Sequence, residues 1–426
     1  MHENGNGFEI SNGNAYKRIL VFLVLVAVCL ILTLPITRSF EFAKVTGSNN
    51  NSVVHGMSGK TKTSASVANN PTSAETGVTK KRHGHDELST APFYRTENTP
   101  EKTEKLPLLK NYRNPCWEEH SRVMNTTRVR CLPYFYLVGA PKCGTTDLFR
   151  RLRAHPQISK KVQKEQHWLT RKRFMGGNRG NLSSYLEYFD YAVKWDITKV
   201  EKENYHPMIF GDCSASTLWD NRKLLQFHRD NRMKLPPFTN AEIVKKINPD
   251  AKIIIMLRNP VSRLYSEYLY FGEDGESAEE FHKQVVSSLY YMNDCLRRYT
   301  VRYCTYFMEP ALRVQVGFYH IYIEDYFRAF PREQIKIIKV ENYAQHIGDT
   351  MKDVYTFLGL DEPPAETMKL VMRKSHANTR DEEDKQPGEM LPQTRDVACS
   401  IFIKPWNEKL VELIGEGYRY KLRTQH

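Results

Sequence analysis

The stretch Tyr136–Leu152, YLVGAPKCGTTDLFRRL, narrows most sharply what this chain can fold into. An apolar run ends at Gly139, a glycine-bearing turn follows, and a helical pattern begins at Thr145. Strand, turn and helix in that order bring backbone N–H groups and the positive end of a helix dipole to one point, which makes an anion site. The spacing nearly matches the phosphate-loop pattern G-x-x-x-x-G-K-[ST], with Gly139 and Gly144 as its glycines. The lysine departs from it, because Lys142 precedes Gly144 and Thr145 stands where the lysine belongs. A magnesium–triphosphate site needs a lysine over the outer phosphates and an acidic residue to help hold the metal. Here the apolar run Lys252–Leu257 leads into Arg258 instead. The pattern argues against a nucleoside triphosphatase and for a phosphate held without metal.

Four short β-rich runs, Tyr134–Gly139, Met208–Gly211, Lys252–Leu257 and Gln334–Val340, are apolar through most of their length, as strands buried on both faces are. Helical patterns such as Thr145–Ala154 and Arg263–Phe271 lie between them, and a last helix is expected over Asp396–Glu416. This alternation predicts an α/β fold, a P-loop-like parallel β-sheet flanked by helices. The globular part is expected at 111–426.

Ahead of it the composition changes. Ile19–Ile36 holds 18 residues without a charge, about 27 Å as a helix, long enough for a thin bilayer. A cleaved signal peptide would have an apolar core of about 7–15 residues and a small-residue cleavage site, which PITRSFEFA does not supply. Lys17 and Arg18 precede the span, so residues 1–18 are expected in the cytosol and the remainder in the lumen. Residues 37–110 are rich in Ser, Thr, Asn and Lys and read as a tethering stem. Sequons at Asn50, Asn125 and Asn181 agree with a lumenal address.

Of eight cysteines, Cys29 falls in the span and Cys143 in the loop. The other six, Cys116, Cys131, Cys213, Cys295, Cys304 and Cys399, could form three bridges in an oxidising compartment, and close spacing favours Cys116–Cys131 and Cys295–Cys304. None is arranged as CxxC, which speaks against a structural zinc. The formal charge of +13, from 62 Lys+Arg against 49 Asp+Glu, asks for an anionic partner. In the lumen that partner is an acidic glycan rather than nucleic acid.

PKCGTT, Pro141–Thr146, resembles the 5′-phosphosulfate loop of the Golgi carbohydrate sulfotransferases, whose donor is 3′-phosphoadenosine 5′-phosphosulfate (PAPS). LRNPVSRLYSEYLYF, Leu257–Phe271, resembles that family's 3′-phosphate element, an arginine at a strand end and a serine eight residues on. The resemblance spans roughly residues 130–415. It implies donor contacts from Lys142, Cys143, Gly144, Thr145, Thr146, Arg258 and Ser266. Arg373 and Lys374 fall where relatives close a loop over the nucleotide, and a solvated loop would read the same way. KEQHWLTRKRF, Lys164–Phe174, is similar to the family's K-E-x-H segment and implies Glu165 as catalytic base with His167 assisting. Composition alone would allow an exposed charged segment anchored by Trp168. Lys142 and the loop amides would stabilise charge on the leaving phosphate.

Lys164, Arg171, Lys172 and Arg173 form a cationic rim in this reading. FGDCSASTLWDN, Phe210–Asn221, resembles the substrate-cleft segment and contributes Asp212, Ser214 and Ser216. The blocks LPYFYLVGAPKCGTTDLFRRLRAHP, HWLTRKRF, SASTLWDN and EMLPQT point within the family to the branch that sulfates chondroitin and dermatan sulfate. Gln166 departs from the proline many relatives carry. The acceptor expected from the resemblance is C6 of N-acetylgalactosamine 4-sulfate. Heparan sulfate, another glycan, and a non-catalytic lumenal glycan-binding protein are the alternatives, and a homodimer stays open beside a monomer. No metal is expected.

Overall fold

The computed structural model describes residues 106–121, 125–224, 238–271, 277–373 and 388–420. The expected cytosolic tail, membrane span and stem up to residue 105, Asn50 and Lys374 lie outside the described residues. No described helix is long and apolar enough to cross a membrane.

Among the described residues there are six strands. β1 (Cys116–Ser121) and β2 (Thr126–Cys131) form an antiparallel hairpin that the sequence reading did not anticipate. Cys116 and Cys131 face each other in its register and are disulfide-bonded, joining the ends of the hairpin. Asn125 is exposed in its turn. The main sheet contains β3 (Phe135–Gly139), β4 (Gly211–Asp212), β5 (Lys252–Leu257) and β6 (Ile335–Lys339) in the order β4-β3-β5-β6, all parallel. All five residues of β3 are buried, as are the last five of β5, which accounts for their unbroken apolar runs.

The expected strand Met208–Gly211 pairs with β3 only at Gly211 and Asp212. Upstream, Ile209 bridges to Ile158 instead, outside the main sheet. Gly211 is needed there, since a Cβ would fall 2.4 Å from the Phe135 ring.

The helices used below are α1 (Thr145–Leu152), α2 (Leu182–Leu186), α3 (Asn240–Ile247), α4 (Pro260–Phe271), α5 (Ala278–Arg298), α6 (Val301–Phe307), α7 (Tyr319–Ala329), α8 (Val340–Gln345), α9 (Ile347–Phe357), α10 (Ala365–Arg373) and α11 (Pro392–Ile414). A capping box of Thr239 and Glu242 starts α3, and Asn181 caps α2 by accepting from the Ser184 N–H at 2.8 Å. α11 packs on α4, α5 and α7. The second bridge, Cys295–Cys304, ties α5 to α6. The third bridge the cysteine count allowed does not form: Cys213 follows β4, Cys399 lies within α11, and both keep buried thiols.

From the central β3 the chain crosses to β4 on one side and then to β5 on the other. Such a reversal opens a crevice at the carboxyl ends of the strands, where ligands of α/β proteins bind.

Candidate active site

A cavity of about 700 Å³ occupies that crevice, lined by residues that follow β3, β4, β5 and β6. Lys142, Gly144, Thr145 and Thr146 line it after β3, Arg258 and Asn259 after β5, Val340 and Glu341 after β6. Lys164, Glu165, His167, Arg171 and Ser216 line it from the acceptor-side segments. The residues expected on either side of a transferred group therefore share one cavity.

The loop packs tightly against the end of β6. Gly144 caps α1 with φ 77°, and a Cβ there would meet Val340 Cγ2 at 2.9 Å. No side chain caps α1, so its first N–H groups are left to the cavity. The Lys142 ammonium sits 3.3 Å from the centre of the Tyr270 ring, inside the cleft. Arg258 Nη1 donates to the Lys142 carbonyl at 3.3 Å, tying the end of β5 to the loop. Ser262, Ser266 and Tyr270 follow at steps of four along α4 and line the same cavity. Glu341 accepts from the Asn259 N–H at 2.8 Å and holds the turn that presents Arg258. The spacing of four would have revealed Ser262 and Tyr270; nothing local marks Glu341.

Cys143 offers the cleft no side chain. Its side chain turns into the core, where its thiol meets the Tyr319 hydroxyl at 3.7 Å, and burial pushes its pKa up to about 11. It lines the core and not the cleft.

On the opposite wall, the Glu165 carboxylate accepts from the Ala215 N–H at 3.0 Å, pairs with Lys164, and lies 3.3 Å from His167 Nε2. A carboxylate only accepts, so Nε2 carries the proton and Nδ1 accepts from Ser216 Oγ at 2.7 Å. Ser216 spends its single proton there, so Thr170 donates to Ser216, at 2.9 Å. The result is a directed hydrogen-bonded chain, Thr170 to Ser216 to His167, whose Nε2 faces the Glu165 carboxylate. Burial, more than any charge, lowers the pKa of His167 from its ordinary value and favours the neutral ring this chain requires. Lys142, Glu165 and His167 adopt φ of 63°, 63° and 54°, the left-handed region that costs non-glycine residues about 1–3 kcal/mol each.

Five expected contacts sit elsewhere. Asp212 is buried, accepting from Tyr185 at 2.8 Å and from Ser214 at 2.6 Å, and burial raises its pKa. Ser214 in turn accepts the His167 N–H at 3.1 Å. Both hold the wall from behind. Arg173 is buried against the Phe174 ring rather than standing on the rim, and the Lys172 ammonium lies over the ring of Tyr188. Arg373 lines a separate surface hollow with Lys352 and Lys369.

The sequence profile described as "Sulfotransferase domain" matches residues 132–403, and the chain belongs to the sulfotransferase family. It is 38% identical over 313 residues to "Carbohydrate sulfotransferase 15" of Mus musculus, an alignment covering 69% of this chain and 55% of that protein. The chain thus spans about half the length of this relative. It is 23% identical over 275 residues to "Bifunctional heparan sulfate N-deacetylase/N-sulfotransferase 1" of Caenorhabditis briggsae, covering 64% of this chain and 28% of that one. A solved sulfotransferase from Alicyclobacillus acidocaldarius aligns with TM-score 0.45 and 24% identity, over 68% of this chain and all of that one.

Proposed function

We propose that this chain transfers a sulfuryl group from PAPS to a sugar hydroxyl of a glycosaminoglycan, at C6 of N-acetylgalactosamine 4-sulfate in chondroitin or dermatan sulfate. The observation that carries this reading is the shared cavity of Lys142 and Glu165, one beside an uncapped helix N-terminus and the other facing the His167 ring at 3.3 Å. The residues fit the donor: the volume suits a nucleotide, the first N–H groups of α1 have no side-chain cap, and Arg258 offers a planar cation for a phosphate monoester. PAPS would supply the sulfuryl group.

Glu165 takes the proton of the acceptor hydroxyl as it attacks, and His167 holds that carboxylate in position. Lys142 and the first N–H groups of α1 stabilise the negative charge that grows on the leaving phosphate. Arg258 and Ser266 hold the 3′-phosphate. Identity of 38% to the carbohydrate sulfotransferase against 23% to the heparan sulfate enzyme favours the chondroitin type. Two disulfides suit an oxidising lumen, so a Golgi membrane address, with the 19–36 span as anchor and Asn125 and Asn181 as glycan acceptors, belongs to the same proposal.

The test is incubation with radiolabelled PAPS and a panel of sulfated and desulfated glycosaminoglycans, followed by mapping of the labelled position. Label at C6 of 4-sulfated N-acetylgalactosamine is expected. Label confined to heparan sulfate, or none, overturns the reading.

A further inference from the structure

Two buried carboxylates flank the acceptor side of the cleft, and each is held by two arginines. Asp220 is gripped by Arg222 through Nε at 2.8 Å and Nη2 at 3.2 Å, while Arg171 reaches it through Nε alone at 2.9 Å. Glu267 is paired with the fully buried Arg263, while Arg313 reaches it through Nε at 2.6 Å. In both triads one arginine neutralises the carboxylate and the other is a second, surplus cation. Arg171 and Arg313 both line the cavity. Anchoring through Nε leaves the two terminal nitrogens of each guanidinium for another acceptor.

The aromatic residues fix these groups further. The Arg313 guanidinium lies 5.1 Å from the centre of the Trp219 ring and 4.8 Å from that of Phe271. Trp219 lines the cavity too, and its buried Nε1–H has no acceptor among the described residues. The wall is continuous with the proposed base, since the Arg171 N–H donates to the His167 carbonyl at 3.0 Å and the Asp220 N–H to that of Ser216 at 2.8 Å.

We propose that Arg171 and Arg313, with Trp219 beside Arg313, form a subsite for an anionic substituent of the acceptor sugar chain and so select acceptors that are already charged. This rests on the sulfotransferase reading and names what that site demands of its acceptor. A sulfate ester and a uronate carboxylate share the required chemistry, a planar or trigonal set of anionic oxygens facing guanidinium donors.

The experiment uses the full chain and its R313A, R313K and R171A variants. Acceptors are chondroitin 4-sulfate, its desulfated form and its carboxyl-reduced form, each measured for kcat/KM and, by calorimetric titration, for binding of the matching oligosaccharides. Loss of one charge-assisted hydrogen-bonding group predicts that R313A lowers kcat/KM on chondroitin 4-sulfate about 10-fold or more, mainly through KM. The effect should vanish on whichever acceptor lacks the recognised group, which names sulfate or carboxylate as the source. R313K keeps the charge and its link to Glu267 but loses the planar fork, and should recover only part of the loss. Melting temperature and binding of 3′-phosphoadenosine 5′-phosphate verify that the variants are folded. Equal losses on all three acceptors overturn the subsite. A wild-type chain that binds the oligosaccharides but sulfates none refutes the sulfotransfer reading, and the titrations alone then judge Arg171 and Arg313.

Discussion

Around Lys142 the cleft wall is mostly backbone: one continuous turn out of β3, capped by Gly144, with the first N–H groups of α1 behind it. Around Glu165 the wall is mostly side chains, drawn from 164–171, from 214–220 and from Arg313. The first wall acts through dipoles fixed by chain geometry. The second acts through a hydrogen-bond chain in which each member fixes the next. A backbone site tolerates change in all but its glycine and its cation, whereas a side-chain network can fail at any link.

Removing the central group from each wall should cost most and separate the two. Lys142→Ala and Glu165→Gln should each lower turnover by about 10² or more. Binding of 3′-phosphoadenosine 5′-phosphate should weaken in the first and hold in the second. If both variants bind it equally, the division of labour fails.

A smaller effect sharpens the donor wall. Arg258→Ala should weaken binding of 3′-phosphoadenosine 5′-phosphate by about 10-fold or more while changing adenosine 5′-phosphate little. Titration of both nucleotides decides it, and equal losses would remove Arg258 from the 3′-phosphate.

The smallest effect sharpens the acceptor wall. Burial holds His167 below its ordinary pKa, so activity that needs the neutral ring should be full above pH 6.5 and fall only as pH drops through the lowered value. Ser216→Ala removes the proton donated to Nδ1, a bond available only to the neutral ring. Protonation then becomes easier, so the acid limb of the pH–kcat/KM profile should move to higher pH, with a loss of only a few-fold at neutral pH. An unmoved limb would uncouple Ser216 from His167.

Legibility followed the same division. The turn after β3 was readable because its residues are neighbours in the chain, and Arg258 with Ser266 because their short stretch resembles the family's 3′-phosphate element. Strand β5 appears at its expected bounds, and both close cysteine pairs are bridged. Arg313 and Trp219 were not readable, since a lone arginine or tryptophan carries no pattern until folding brings distant segments together. The inward turn of the Cys143, Asp212 and Arg173 side chains went unread for a related reason. Adjacency to a functional residue along a chain does not say which way a side chain points, and all three turn inward.

The left-handed backbone at Lys142, Glu165 and His167 has a consequence for descent as well as for chemistry. Glycine or asparagine would be more comfortable at all three positions. A lineage released from the need to transfer a group, or a library sorted only for heat resistance, should drift toward those residues there first. The identities at 142, 165 and 167 in a related chain therefore serve as a record of whether its ancestors were still being selected for turnover.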